Sequence, residues 1–210
     1  MNTVQWIQLL SEQARVYGKS VFTTTELCNL SGQSRKTLAV TVSRLVTREV
    51  LMRLGHGLYG ISIPQPAELL KHLDPAAYCT GHWILYNKGI ITQTPAMVTC
   101  FTNRQHFRNP ACKTPVATFE FVVPSKRIYH PPPDAQIVSL EQALCDFVFV
   151  CLHRGVTPRS LVTLRHLERV DRAVLDGMLQ RYPATVCREL GRILESTGNA
   201  AECDNGKGLK

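Results

Sequence analysis

The sequence has no long uninterrupted hydrophobic run. No stretch approaches the roughly eighteen consecutive apolar residues that a transmembrane helix needs, so we expect no membrane-spanning segment. The opening residues, MNTVQWIQLLSEQ, have no basic residue ahead of the apolar ones and do not look like a signal peptide. These two absences predict a cytoplasmic protein without a membrane partner.

The sequence motifs of several common enzyme classes are missing as well. The chain contains no P-loop, no GxGxxG or GxSxG segment and no HExxH pair. The segment Gly55-His56-Gly57 is too short for a phosphate-binding loop, and a turn explains it. These absences argue against the enzyme classes that carry these motifs.

The eight cysteines form no CxxC pair, whereas zinc sites usually contain closely spaced ligand pairs. Most of them lie in apolar runs such as QALCDFVFVCL, so we expect reduced, buried thiols. Cys145 and Cys151 lack the accessible, electropositive setting of a reactive thiolate. Cys151 and His153 do not share a helix face at their spacing. We therefore expect no metal, no cofactor, no catalytic residue and no enzyme activity.

Asp146 is a carboxyl group within an otherwise apolar segment, SLEQALCDFVFVCLHRG. After Ala143 this segment is apolar almost all round, which predicts a deeply buried helix. A buried charge needs a partner. We expect a structural ion pair with an arginine such as Arg154 or Arg165, and favour this over a catalytic role.

The composition is that of a folded, basic protein. With 210 residues and 44% hydrophobic residues, the chain can form one large domain or two small ones with a real core. Twenty-four Lys and Arg against sixteen Asp and Glu give a net charge of +8. This excess makes a polyanionic partner plausible, with nucleic acid the first candidate.

Two helices near the start of the chain are predicted by capping boxes. Asn2 with Gln5 marks the first helix, and Thr23 with Glu26 marks a second, short helix over about residues 24–30. The first helix carries apolar residues at helical spacing and should end at Gly18.

Residues 31–45, SGQSRKTLAVTVSRL, predict a third helix with two different faces. Leu38, Val42 and Leu45 recur on one face and should lie in the core. A short helix, a turn with glycine and a helix of this kind form a helix-turn-helix, whose second helix enters the major groove. The candidate DNA-binding residues at its N-terminal end or on its other faces are Ser34, which is also the N-cap, Arg35, Lys36, Thr37, Thr41 and Arg44.

Residues 50–62, VLMRLGHGLYGIS, predict a β-hairpin directly after that helix. A hairpin in this position is the wing of a winged helix, and Arg53 and His56 would then lie beside the minor groove or its phosphates. The first 62 residues carry seven Lys and Arg against three acids, which favours binding of double-stranded DNA. The alternative is a three-helix structural module whose basic face is merely solvated.

The rest of the chain predicts a second domain. Strands are expected at MVTCFT and ATFEFVVP, Thr80 is expected to cap a short helix, and amphipathic helices follow Val138. The fold class is therefore α+β, with a winged helix-turn-helix, a mixed α/β middle and a helical C-terminal region. The expected boundaries are 1–62 for the winged helix, 63–75 for a proline-containing linker with one helical turn or two, 76–197 for the second domain and 198–210 for a mobile tail.

Three segments carry a family resemblance: RLGHGLYGIS, DPAAYCTGHWILYNKGI and SLEQALCDFVFV. Together they resemble the AbiEi family of antitoxins from bacterial type IV toxin–antitoxin systems, and the resemblance spans roughly residues 3–195. It implies a repressor that binds repeated sites in its own promoter. It also implies a C-terminal region that counteracts a nucleotidyltransferase-like toxin without a stable complex.

Only the DNA-binding half of this resemblance can be carried over to particular residues. These are the eight candidates on the third helix and the hairpin, whereas the resemblance assigns no antitoxin residue. The alternative is a stand-alone regulator whose C-terminal domain binds a small ligand or a protein.

Overall fold

The computed structural model describes residues 1–105, 111–133 and 136–204 of the chain. Helices and short strands are interspersed along it, so the fold is of the mixed α and β class that the sequence predicts. Among the described residues, no helix combines the length and apolar character needed to cross a bilayer.

The chain divides into two compact units. The first consists of Met1–Pro75 together with Cys112–Thr118, and the second takes Ala76–Ala111 and the described chain from Phe119 onward. The elements of the first stretch are α1 (Thr3–Tyr17), β1 (Val21–Thr23), α2 (Thr24–Ser31), α3 (Arg35–Thr47), β2 (Met52–Gly55), β3 (Leu58–Gly60) and α4 (Pro66–Leu73). The three strands form an antiparallel sheet in the order β1–β3–β2.

The starts of α1, α2 and α3 are those that the capping residues predict. Asn2 and Thr23 each accept a hydrogen bond from a backbone N–H three residues on, and the reciprocal side-chain bonds of both capping boxes are present. The three helices then bury their apolar faces in one cluster. Its fully buried members include Trp6, Phe22 and Leu27, and from α3 it receives Leu38, Val42 and Leu45.

The segment expected to be a linker, residues 63–75, contains the folded helix α4. Leu69 and Leu70 of this helix are completely buried. Glu68 accepts hydrogen bonds from the backbone N–H and the hydroxyl of Ser20, at 3.1 and 2.7 Å. One of the prolines that resembled a linker, Pro66, here starts a helix, because proline at the first helical position needs no N–H partner.

The second unit combines short strands with a group of helices. Strand β4 (Tyr78–Cys79) pairs antiparallel with β5 (Val98–Phe101), and β5 pairs parallel with β7 (Thr118–Val122). Strand β6 (Ala111–Lys113) lies between β5 and β7 in sequence, and two of its three residues belong to the first unit. The helices are α5 (His82–Asn87), α6 (Leu140–His153), α7 (Pro158–Leu161), α8 (Arg172–Leu179) and α9 (Ala184–Asp204), with a 3-10 turn at Leu167–Arg169.

Helix α6 is the centre of the second unit, as its apolar sequence predicts. It packs against α5, α7, α8 and α9. Nine of its fourteen residues are buried, Glu141 and Asp146 among them. Helix α9 is amphipathic, as expected for the helices after Val138, and it buries Val186, Leu190, Ile193 and Leu194. The mobile tail expected over 198–210 coincides in part with α9, and beyond Asp204 it lies outside the described residues.

The predicted roles of Thr80 as a helix cap and of Asp146 as an ion-pair partner are both wrong, because these two residues bond to each other. Thr80 does not cap α5, which begins after Gly81 without a side-chain cap. Instead the Thr80 hydroxyl donates to Asp146 Oδ2 at 2.6 Å, and the Tyr182 hydroxyl donates to Asp146 Oδ1 at 2.5 Å. Asp146 thus has two neutral partners where we expected an arginine. Arg154 instead pairs with Glu120 at 2.7 Å.

Asp146 is completely buried and contacts two hydroxyl groups, and this environment decides its charge. Burial raises its pKa to about 7 from an ordinary 3.8, and the hydrogen bonds from Thr80 and Tyr182 lower it only in part. The folded protein therefore holds this proton at pH values where the unfolded chain has lost it. Stability from this group is present below about pH 4 and is lost as the pH rises towards 7.

We predict that Asp146→Asn flattens the pH dependence of stability between pH 4 and 7. The amide keeps the shape of the carboxyl and removes its proton, which contributes about 1.4 kcal/mol of pH-dependent stability per pH unit in this window. Urea denaturation at pH 5 and at pH 7 measures the difference in the free energy of unfolding for wild type and variant.

The matched control is Asp176→Asn on the exposed surface of α8. It should change the free energy of unfolding with pH as wild type does. An Asp146→Asn protein with the wild-type pH dependence would contradict the protonated, buried carboxyl.

Candidate nucleic-acid interface

A turn of three residues sets the start of α3 relative to α2. Helix α2 ends at Gly32, whose φ of 67° is the left-handed conformation that glycine adopts without strain. Ser34 then adopts an extended backbone, and its hydroxyl accepts a hydrogen bond from the Thr37 N–H at 3.3 Å. An N-cap of this kind contributes about 1 kcal/mol, so Ser34 fixes where the helix begins.

The first turn of α3 and its later turns carry exposed cations. Arg35, Lys36 and Arg44 are all exposed. Within the described part of the chain, no hydrogen bond or ion pair is formed by any of the three side chains. Their charges are therefore available to an external anion.

The three hydroxyl residues predicted for this interface have partners within the helix itself. The Ser34 hydroxyl is 3.0 Å from the Thr37 hydroxyl, and the Thr41 hydroxyl donates to the Thr37 carbonyl at 3.1 Å. A hydroxyl carries one proton and two lone pairs. Thr41 therefore retains acceptor capacity only, while Ser34 and Thr37 share one proton in their mutual bond.

The hairpin of β2 and β3 holds the other two predicted residues, Arg53 and His56, and both are exposed. The register of the pair shifts between Arg53 and Gly55. Gly57 has a φ of 66°, and a Cβ there would stand 3.1 Å from the Thr24 hydroxyl oxygen. Its carbonyl accepts from the Thr24 N–H at 2.9 Å, which ties the hairpin turn to the start of α2.

The surface of α3 also carries exposed residues that are neither charged nor among the predicted DNA-binding residues. Val40 is 54% exposed, although Val42 two residues later is 4% exposed. Ala39 and Ser43 beside it are exposed and small. The signal was present in the helical period, because Val40 lies four residues from both Lys36 and Arg44 and so on the same row.

Two cysteines of the second unit, Cys145 and Cys151, are buried on α6. Burial raises the pKa of Cys145, and that of Cys151 to about 11, so both remain protonated thiols near neutral pH. Among the described residues, no group of three or more His, Cys, Asp or Glu side chains could hold a metal ion. Seven cysteines are free thiols, and Cys203 lies outside the described side chains.

The second unit contains a small cavity of about 90 Å³. Phe147, Val150 and Leu161 supply apolar walls, and His82 and Arg154 also line it. The Nε2 atom of His82 is buried and has no hydrogen-bond partner among the described residues. Burial also lowers the pKa of His82, so its ring is neutral at pH 7.

Comparison of the chain with protein-family models and with curated proteins gives no match to either.

Proposed function

We propose that the first unit is a winged-helix domain that binds double-stranded DNA. The observation that carries this proposal is the outward face of α3, whose exposed cations have no partner among the described residues. The order of elements supports it, because a short helix, a turn, a second helix and a hairpin follow one another. In this arrangement α3 is the recognition helix and the β2–β3 hairpin is the wing.

The positions of the cations divide them into two roles. Arg35 and Lys36 lie in the first turn of α3, where side chains of a recognition helix approach base edges. Free backbone N–H groups at the same helix end also favour phosphate. Arg53 lies on the wing and His56 at its turn, where side chains meet phosphate or the minor groove. Arg44, about two and a half turns into α3, lies where the helix leaves the groove.

We predict salt-dependent binding to a duplex from the protein's own promoter. If about four to eight phosphates are neutralised, log K should fall with log salt with a slope of roughly −4 to −7. Gel-shift titrations over a series of salt concentrations measure the slope. Absence of binding even at low salt would contradict the proposal.

We also predict that substitutions on α3 and on the wing have different effects on DNA binding. Arg35→Ala or Lys36→Ala should weaken specific binding by about 1–3 kcal/mol and relax the preference at one base position. Arg53→Ala should weaken binding to specific and scrambled duplexes alike and reduce the salt slope by roughly one. Titrations of each variant on both duplexes at matched salt separate the two effects.

Arg15→Ala on α1 is a matched control, since it removes one charge outside α3 and the wing. If the basic face is merely solvated, all of these substitutions should change affinity as little as the control does. If Arg53→Ala alters base preference and the α3 variants do not, the roles of helix and wing are reversed.

We further propose that the protein is a cytoplasmic repressor of its own operon and the antitoxin of a type IV toxin–antitoxin system. The support is the resemblance of RLGHGLYGIS, DPAAYCTGHWILYNKGI and SLEQALCDFVFV to the AbiEi family. The last of these segments falls on α6, and the second runs from the end of α4 through β4 and α5. The proposed antitoxin activity therefore belongs to the second unit, and its target is a nucleotidyltransferase-like toxin.

We predict that repression and protection from the toxin are separable. The full chain with Arg35→Ala, Lys36→Ala and Arg53→Ala should lose repression of its promoter. It should still protect cells in which an adjacent nucleotidyltransferase-like gene is expressed from an unrelated promoter. Colony counts with and without toxin induction measure protection. A folded triple variant that fails to protect, or a wild type that fails, would contradict separable antitoxin activity.

A stand-alone regulator with a small-molecule effector is the second candidate function. The cavity in the second unit favours it, because the unpartnered Nε2 of His82 lies beside apolar walls. Pockets for small ligands combine such walls with a few polar groups. This function predicts a regulator encoded without an adjacent toxin gene, so the neighbouring genes distinguish the two candidates.

A further inference from the structure

Val40 is the one large apolar side chain among the exposed residues of α3. Its exposure alone carries no information, since single exposed aliphatic residues are common on protein surfaces. Its position is more specific. Lys36 precedes it by four residues and Arg44 follows it by four, so the three side chains form one row along the helix.

The two cations of this row indicate which kind of partner contacts Val40. Neither has a partner among the described side chains, and both would attract the phosphates that border a DNA groove. An apolar side chain held between them then faces the base edges. The neighbours Ala39 and Ser43 are small, so the helix can approach those edges closely.

The major groove offers one apolar group, the C5 methyl of thymine, which Ala, Thr and other apolar side chains contact. Along α3, Val40 lies about 6 Å from Lys36. That distance corresponds to roughly two base-pair steps. A methyl contact by Val40 is therefore compatible with a separate contact by Lys36 to another base or phosphate.

We propose that Val40 contacts the C5 methyl of a thymine and thereby selects a T·A pair at one position of the DNA site. This contact deepens the DNA binding proposed above and depends on it. It assigns the specificity of that base pair to a buried methyl contact, in addition to the hydrogen bonds that Arg35 and Lys36 supply.

The test replaces thymine by uracil, which removes only the methyl group. The full-length protein first selects its preferred duplex from a random-sequence library. Each thymine of that duplex is then replaced singly by deoxyuridine, and binding is measured at fixed salt. We expect one position at which wild type loses affinity about four-fold, as for the loss of one buried methyl group.

Val40→Ser should bind the thymine duplex several-fold more weakly than wild type and should no longer distinguish thymine from uracil there. The matched control is Val16→Ser on α1, because Val16 is also 54% exposed and lies outside α3 and the hairpin. It should keep the wild-type discrimination. Circular dichroism of both variants checks that each remains folded.

The outcomes separate this contact from DNA binding as such. Sequence-selective binding without any methyl-sensitive thymine, or a sensitivity that Val40→Ser retains, overturns the Val40 contact and leaves the DNA-binding proposal standing. Binding without any sequence preference overturns the contact together with the base-reading role of Arg35 and Lys36, and leaves DNA binding itself standing. Absence of binding to all duplexes overturns both.

Discussion

The packing of Leu38, Val42 and Leu45 into the core of the first unit determines which side chains α3 can present to a partner. All three are at most 4% exposed and share one cluster with Trp6 and Phe22. Rotating α3 about its axis would expose this stripe, at about 25 cal/mol for each Å² of apolar surface. The rotation is therefore fixed, and the row of Lys36, Val40 and Arg44 points outward as a consequence of the core.

Two acids of the first unit, Glu26 and Glu68, have partners away from this row. Over Met1–Pro75 there are eight Lys and Arg and five Asp and Glu, so the excess of charge is small and its location matters more. Glu26 pairs with Lys19 and completes the cap of α2, and Glu68 accepts from Ser20. Burial alone would raise the pKa of Glu26, but the bonds from Lys19 and Thr23 outweigh it and lower the pKa. Glu26 is thus a carboxylate whose charge is engaged away from α3.

Local sequence signals predicted the starts of α1, α2 and α3, whereas they could not predict contacts between residues far apart in the sequence. The caps at Asn2, Thr23 and Ser34 depend on residues three apart, so the sequence displays both partners together. The contacts of Asp146 join residues 66 and 36 positions apart, and no local pattern shows that two hydroxyls rather than an arginine will meet a buried carboxyl. The parallel pairing of β5 with β7 is non-local in the same sense. Helix α4 shows that proline marks helix starts as well as linkers, because Pro66 opens a helix of eight residues where we expected a linker with one helical turn or two.

In the candidate interface too, the sequence alone does not show what each side chain contacts. Charge and hydroxyl groups identified eight residues, but three of those hydroxyls also bond within α3, a use that composition does not reveal. Val40 was passed over because an aliphatic residue in an amphipathic helix is first assigned to the core. Its exposure follows only once the buried stripe is known, since position 40 then falls opposite Leu38, Val42 and Leu45. The fold therefore distinguishes two kinds of apolar side chain that the sequence does not separate. Leu38, Val42 and Leu45 stabilise the protein, whereas Val40 remains exposed and can contact a partner.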